Sequence, residues 1–390
     1  MERAIATKLP IYLDHHATTP VDPKVLEAMI PYFTEKFGNA GSAGHRYGWE
    51  AEAAVKYARE IIAQSINAIP EEIIFTSGAT EANNLAIKGV AEAYFSQGKH
   101  IVTLQTEHRA VLDPCAYLET LGFEVTYLSV QPNGLLDLED LIKVIRDDTV
   151  LVSVMVANNE IGVLQPIEKI GTICHERGVL FHCDAAQAIA KVPLNVQTQQ
   201  IDLLSITAHK IYGPKGIGAL YVRRKNPRVN LAPQLHGGGQ EKNRRSGTLY
   251  VPQIVGFCKA IEIALAQHIE ENKRLQQLRD RLWSQIQTIA GCHLNGDLDQ
   301  RLPHNLNISF DKIDGAALLL GLRGTVALSS GSACSSGKPS HVLQAIGRTK
   351  AQCMASLRFG IGRTTTIADI DQVAKTVQQT VNSLRQISAD

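Results

Sequence analysis

Ser205–Val222 reads SITAHKIYGPKGIGALYV. An apolar run ends in Thr207, Ala208, His209 and Lys210, and a turn rich in glycine follows at once. The pattern predicts a β-strand that delivers an ammonium group at its carboxyl end. In open α/β sheets that edge is where ligands bind. A solvated charge at a strand end is the plainer reading, so the neighbouring segments have to decide.

Seven short β-branched runs surround and include this stretch: EIIFTS, HIVTLQ, EVTYLS, TVLVSVMVA, VLFHCD, DLLSIT and ALYVRR. Helical patterns such as EANNLAIKGVAEAYFSQG, AVLDPCAYLETLG and DLEDLIKVIRDD lie between most of them. This alternation predicts a doubly wound α/β domain with a mostly parallel sheet. ALYVRR follows its predecessor across a turn too short for a helical crossover, so it is expected to pair antiparallel. From about residue 252 the pattern changes to one long helix, VPQIVGFCKAIEIALAQHIEENKRLQQLRDRLWSQIQTI. LPHNLNISF, GTVALSSGSACSS and a C-terminal helix then follow. A large domain over 16–260 and a smaller α+β domain over 1–15 and 261–390 are expected.

Composition narrows the function. The chain has 390 residues, with 39 Lys and Arg against 38 Asp and Glu, for a net charge of +1. That balance gives no electrostatic footprint for nucleic acid or an anionic membrane. The apolar stretches are too short to span a bilayer. MERAIATKLPIYLDHHATTP lacks the apolar centre of a secretory signal. The seven cysteines are scattered and never spaced as CxxC, which argues against a disulfide framework or a structural zinc. A cytoplasmic protein with reduced thiols and no metal is expected.

The residues that follow each strand form a set. Gly78, Ala79 and Thr80 precede a helix, where free N–H groups could hold a phosphate or simply be capped. His108, Asn159, Asp184, Gln187, Thr207, His209 and Lys210 follow other strands. Each alone has an ordinary structural explanation. Together they suit pyridoxal 5'-phosphate (PLP): a lysine for a Schiff base, an aspartate for the pyridine nitrogen and polar termini for the phosphate.

YLDHHATTP, TSGATEANNLAIKG, TEHRAVLDP, NNEIGVLQPI, DAAQA, HKIYGPKGIGALYV, GGGQEKNRRSGTL and SSGSAC together resemble the NifS/IscS-type cysteine desulfurases. These are fold-type-I, PLP-dependent enzymes of the class V aminotransferase group. The resemblance runs from about residue 11 to about residue 385. It implies a seven-stranded, mostly parallel sheet and a homodimer that removes sulfur from L-cysteine. The sulfur would become a persulfide and pass to an acceptor such as an iron–sulfur scaffold protein. It also implies residue roles. Lys210 would hold the cofactor, Asp184 would face the pyridine nitrogen and His108 would stack on the ring. Asn159 and Gln187 would lie on the ring-oxygen side, with Asn159 also near substrate. Ala79, Thr80, Thr207 and His209 would hold the phosphate, joined by Thr248 from the second subunit. Cys334, set among glycines and serines, would be the sulfur acceptor. Arg358 would clamp the substrate carboxylate. A selenocysteine lyase, another class V aminotransferase and a non-catalytic assembly scaffold are the competing readings. The chain departs from relatives in having TAHK for SGHK, and in lacking a proline after the asparagine of GNAGSAGHRYGWEAE.

Overall fold

The computed structural model describes residues 9–330 and 338–387. Two compact units divide the chain. One comprises Thr18–Asn159 and Val163–His268, the other Met1–Ala17, Glu160–Gly162 and Ile269–Asp390. The boundary near residue 268 lies within the helix Val251–Ile286.

All seven β-branched runs become strands of one sheet in the first unit. They are β2 (Ile73–Thr76), β3 (His100–Leu104), β4 (Glu124–Leu128), β5 (Thr149–Ser153), β6 (Leu180–Asp184), β7 (Leu203–Thr207) and β8 (Gly218–Val222). Their order across the sheet is β2-β8-β7-β6-β5-β3-β4. β8 is antiparallel to both β7 and β2, as its short entry turn requires, and the remaining pairs are parallel. The other six strands therefore point one way, and their carboxyl ends line one edge.

Helices cover both faces, so the inner strands bury nearly every residue and read as continuous apolar runs rather than alternating ones. β4 stands at the edge and is buried only at Leu128. Ile74, Leu85, Val90, Ile101, Val111, Leu151, Leu203 and Leu220 are part of the core between sheet and helices. One polar row crosses this interior: His182 on β6 is hydrogen-bonded to Ser153 Oγ at 2.8 Å and Ser205 Oγ at 3.0 Å. Burial lowers the His182 pKa to about 3, so the imidazole is neutral.

In the second unit β10 (Asn305–Phe310) lies between β9 (Cys292–Leu294) and β12 (Ser356–Gly360), antiparallel to both. β1 (Ile11–Tyr12) pairs in parallel with β11 (Val326–Ala327). Ile370, Val373, Ala374, Val377 and Val381 recur at helical spacing along Ile367–Ile387 and share a core with Leu278, Leu306, Ile308 and Phe359. No helix among the described residues is long and apolar enough to cross a membrane.

Candidate active site

The carboxyl edge of the large sheet gathers the residues of the first unit that the strand-end reading singled out. After β2, Gly78 takes φ 152°, a conformation glycine adopts without a Cβ clash, and the helix Ala79–Ala93 begins. No side chain caps that helix, so its first-turn N–H groups remain available to an anion. Gly218 on β8 makes this approach possible. A Cβ there would lie 2.5 Å from the Ile206 carbonyl oxygen and 2.7 Å from Gly78 Cα. Thr207, at the end of β7, is buried and donates its hydroxyl to the Ile217 carbonyl at 3.3 Å.

After β7 a single 3-10 turn, Ala208–Lys210, places His209 and Lys210, both half-buried. Thr18 Oγ1 lies 3.1 Å from His209 Nδ1, while the backbone N–H and hydroxyl of Thr19 both donate to the His209 carbonyl at 3.0 Å. Burial first, and then the charges of Lys210, Lys215 and Lys191, lower the His209 pKa to about 4. The turn that carries Lys210 is thus pinned from a distant part of the chain.

His108 caps the helix Arg109–Glu119, its Nδ1 accepting from the Ala110 N–H at 3.1 Å. That bond leaves the neutral ring's proton on Nε2. Burial is the largest cause of its lowered pKa; Asp184 opposes the shift and Lys210 reinforces it. Asp184 ends β6 and is 6% exposed. Its Oδ1 accepts from the Ala186 N–H at 2.9 Å and its Oδ2 from Asn83 Nδ2 at 2.7 Å. Gln187 is buried nearby in sequence, and Asn159 is half-buried beyond β5.

Two expected site residues lie elsewhere, and a third falls outside the described residues. Thr248 is exposed, on a loop anchored by two ion pairs, Arg59–Glu241 at 2.6 Å and Arg245–Glu81 at 2.6 Å. Arg358 belongs to the second unit, on β12, where it is 2% exposed and donates from Nη2 to Asp14 Oδ1 at 2.8 Å. Cys334 lies outside the described residues. Cys183, next to Asp184, is a fully buried thiol whose pKa burial pushes well up.

Sequence reasoning missed the supporting residues Asn83, Thr18, Thr19, Asp14 and Glu107. Glu107 is fully buried beside His108, accepts from the Met155 N–H at 2.8 Å and has its pKa raised by burial. A signal for Asn83 was present: it is a polar residue on the helical stripe formed with Ala82, Leu85 and Ala86, all of them buried.

The aminotransferase class-V family model matches residues 11–373, and the chain belongs to that family. A relative from Methylobacillus flagellatus named "Cysteine desulfurase IscS" is 54% identical over 387 residues, covering 98% of this chain and 95% of its own length. Among solved structures, one titled "NIFS-LIKE PROTEIN" superposes with a TM-score of 0.89 at 38% identity, covering 96% of this chain and all of its own. Another, "SspA in complex with cysteine", has a TM-score of 0.81 at 40% identity, over 90% of this chain and 98% of its own. Members of this family are PLP-dependent, and the α/β architecture is the fold-type-I arrangement.

Gly218→Ala should force the β8 backbone away from Gly78 and lower the unfolding free energy by about 1–3 kcal/mol. Denaturant titration reads that loss. A midpoint unchanged from the parent would contradict the close approach.

Proposed function

We propose that this chain is a PLP-dependent cysteine desulfurase, which converts L-cysteine to L-alanine and leaves the sulfur as a persulfide on Cys334. One observation carries the cofactor part. Asp184 is a buried carboxylate with two neutral donors and no ion pair among the described residues. Burying a charge in this way is costly unless a cation completes it. A protonated pyridine nitrogen is such a cation. The uncapped helix start at Ala79 and the neighbouring Thr207 fit the phosphate at the other end of the same molecule.

Bound there, PLP supplies an electron sink for the pair released at the substrate α-carbon. The rest of the chemistry falls to this chain. Lys210 would be the covalent anchor of the resting cofactor and, as a free amine once substrate takes that place, would move the proton at the α-carbon. Asp184 keeps the pyridine nitrogen protonated. His108 is neutral, with its proton on Nε2, and can stack on the ring and exchange that proton. Arg358, oriented by Asp14, offers a guanidinium fork to the substrate α-carboxylate. Cys334 attacks the substrate sulfur as thiolate: an S–S bond forms, the carbon–sulfur bond breaks, its electron pair stays with the substrate, and the β-carbon takes up the proton that the Cys334 thiol gave up. The persulfide then passes to an acceptor, for which an iron–sulfur scaffold protein is the class the family similarity supports.

The same reading includes a homodimer in which Thr248 serves the partner's phosphate site. Phe33, Phe37, Tyr47, Trp49 and Tyr250 are each about half exposed or more, an unusual number of large aromatics for a free surface. A sedimentation mass at twice the chain's 42.5 kDa is expected, and a monomer would contradict sharing.

With L-cysteine and a reductant, the purified protein should release alanine and sulfide in equal amounts. Cys334→Ala should lose alanine production by at least about a hundredfold, the usual scale for removal of a covalent nucleophile. Alanine at the parent rate would exclude the persulfide route. A keto acid in place of alanine would point instead to another aminotransferase-like activity.

A further inference from the structure

We propose that Asn83 is a positioning residue that acts through Asp184, fixing the carboxylate that receives the cofactor's pyridine nitrogen. The inference rests on the PLP reading above and adds a residue to it. Asn83 is fully buried on the helix Ala79–Ala93, one turn in from the proposed phosphate cradle. Its Nδ2 donates to Asp184 Oδ2 at 2.7 Å, the short range of a charge-assisted bond. Its Oδ1 is buried with no hydrogen-bond partner among the described residues. The reverse orientation of the amide would set two oxygens 2.7 Å apart, so the assignment of donor and acceptor is fixed by repulsion.

A buried acceptor without a partner is a net cost, and an apolar side chain of similar volume would remove it. The one thing an apolar residue could not supply is the donor to Asp184. Asn83 therefore makes sense as a device for the carboxylate rather than for packing.

With Ala186 N–H on Oδ1 and Asn83 Nδ2 on Oδ2, both oxygens are tied and the carboxylate plane is set. A carboxylate has about four lone-pair positions, so capacity remains for one incoming N–H. Both donors are neutral, so the negative charge is left for that incoming group. The other titratable groups that face Asp184 do not compete for this role. Glu107 and Cys183 are held protonated by burial, and burial keeps His108 neutral.

The test is a double-mutant cycle on the full chain, stripped of cofactor and titrated with PLP. Asn83→Leu should weaken PLP binding about tenfold or more, as loss of an outer-shell partner commonly does. The melting temperature of the cofactor-free protein should fall as well, since Asp184 Oδ2 is then buried without its donor, whereas in an Asp184→Ala background the same substitution should leave it level or raise it. In an Asp184→Ala background the same substitution should change PLP affinity no further. An affinity within twofold of the parent would overturn the proposal. So would an equal loss in both backgrounds, or a cofactor-free melting temperature that falls as far in the Asp184→Ala background as in the parent. If Asn83→Leu does not fold, Asn83→Ala carries the same comparison. A parent protein that binds no PLP at all would instead overturn the cofactor reading, and this inference with it.

Discussion

A negative charge buried at the end of a central strand is the constraint on which the site depends. Asp184 can stay there because it is the last residue of β6, where the Ala186 N–H just past the sheet and the Asn83 amide each donate to one of its oxygens. The sheet puts the other groups within reach for the same reason. Six strands run in one direction, so His108, Asp184, Thr207 and Lys210 all emerge at one edge without any long loop to place them. Moving Asp184 one residue along β6 would turn its side chain to the opposite face, because side chains alternate along a strand.

Rigidity comes from contacts distant in sequence. The turn that carries Lys210 is short, but Thr18 and Thr19 hold His209 from 190 residues away or more. The Gly78 turn is flush against Gly218, so the cradle is set by backbone packing rather than by side chains. Beneath the site, Ser153, His182 and Ser205 form a neutral hydrogen-bonded row across three strands, which satisfies polar groups without adding charge near Asp184. The result is an edge where His108 and Asp184 are each oriented by specific donors.

Much of this was legible in the sequence. The seven strands could be read because parallel strands covered on both faces are continuous β-branched runs, and β8 was recognisably antiparallel because its entry turn cannot hold a crossover. The helix from Val251 announced itself by its spacing and its proline. Two things were not read: the polar strand of the smaller unit, and the role of Asn83, whose place on a buried stripe was visible but whose partner was not. In the smaller unit NLNISF alternates polar and apolar residues, a pattern that normally means one face in water. Here both faces are buried, since Asn307 and Ser309 accept from Asn295 Nδ2, and Asn305 and Asn307 donate to the Glu160 carbonyl. Alternation reports a difference between faces, and it cannot say that the polar one is satisfied internally. Asn83 escaped for a related reason. Its partner is 101 residues away, and only packing of helix on sheet brings them together.

The central claim is that this edge binds PLP through Lys210, and borohydride reduction followed by peptide mapping tests it most directly. The purified protein should absorb visible light, lose that absorption on reduction, and carry the cofactor on a peptide containing Lys210. Cofactor fixed to a different lysine, or to none, would contradict the account.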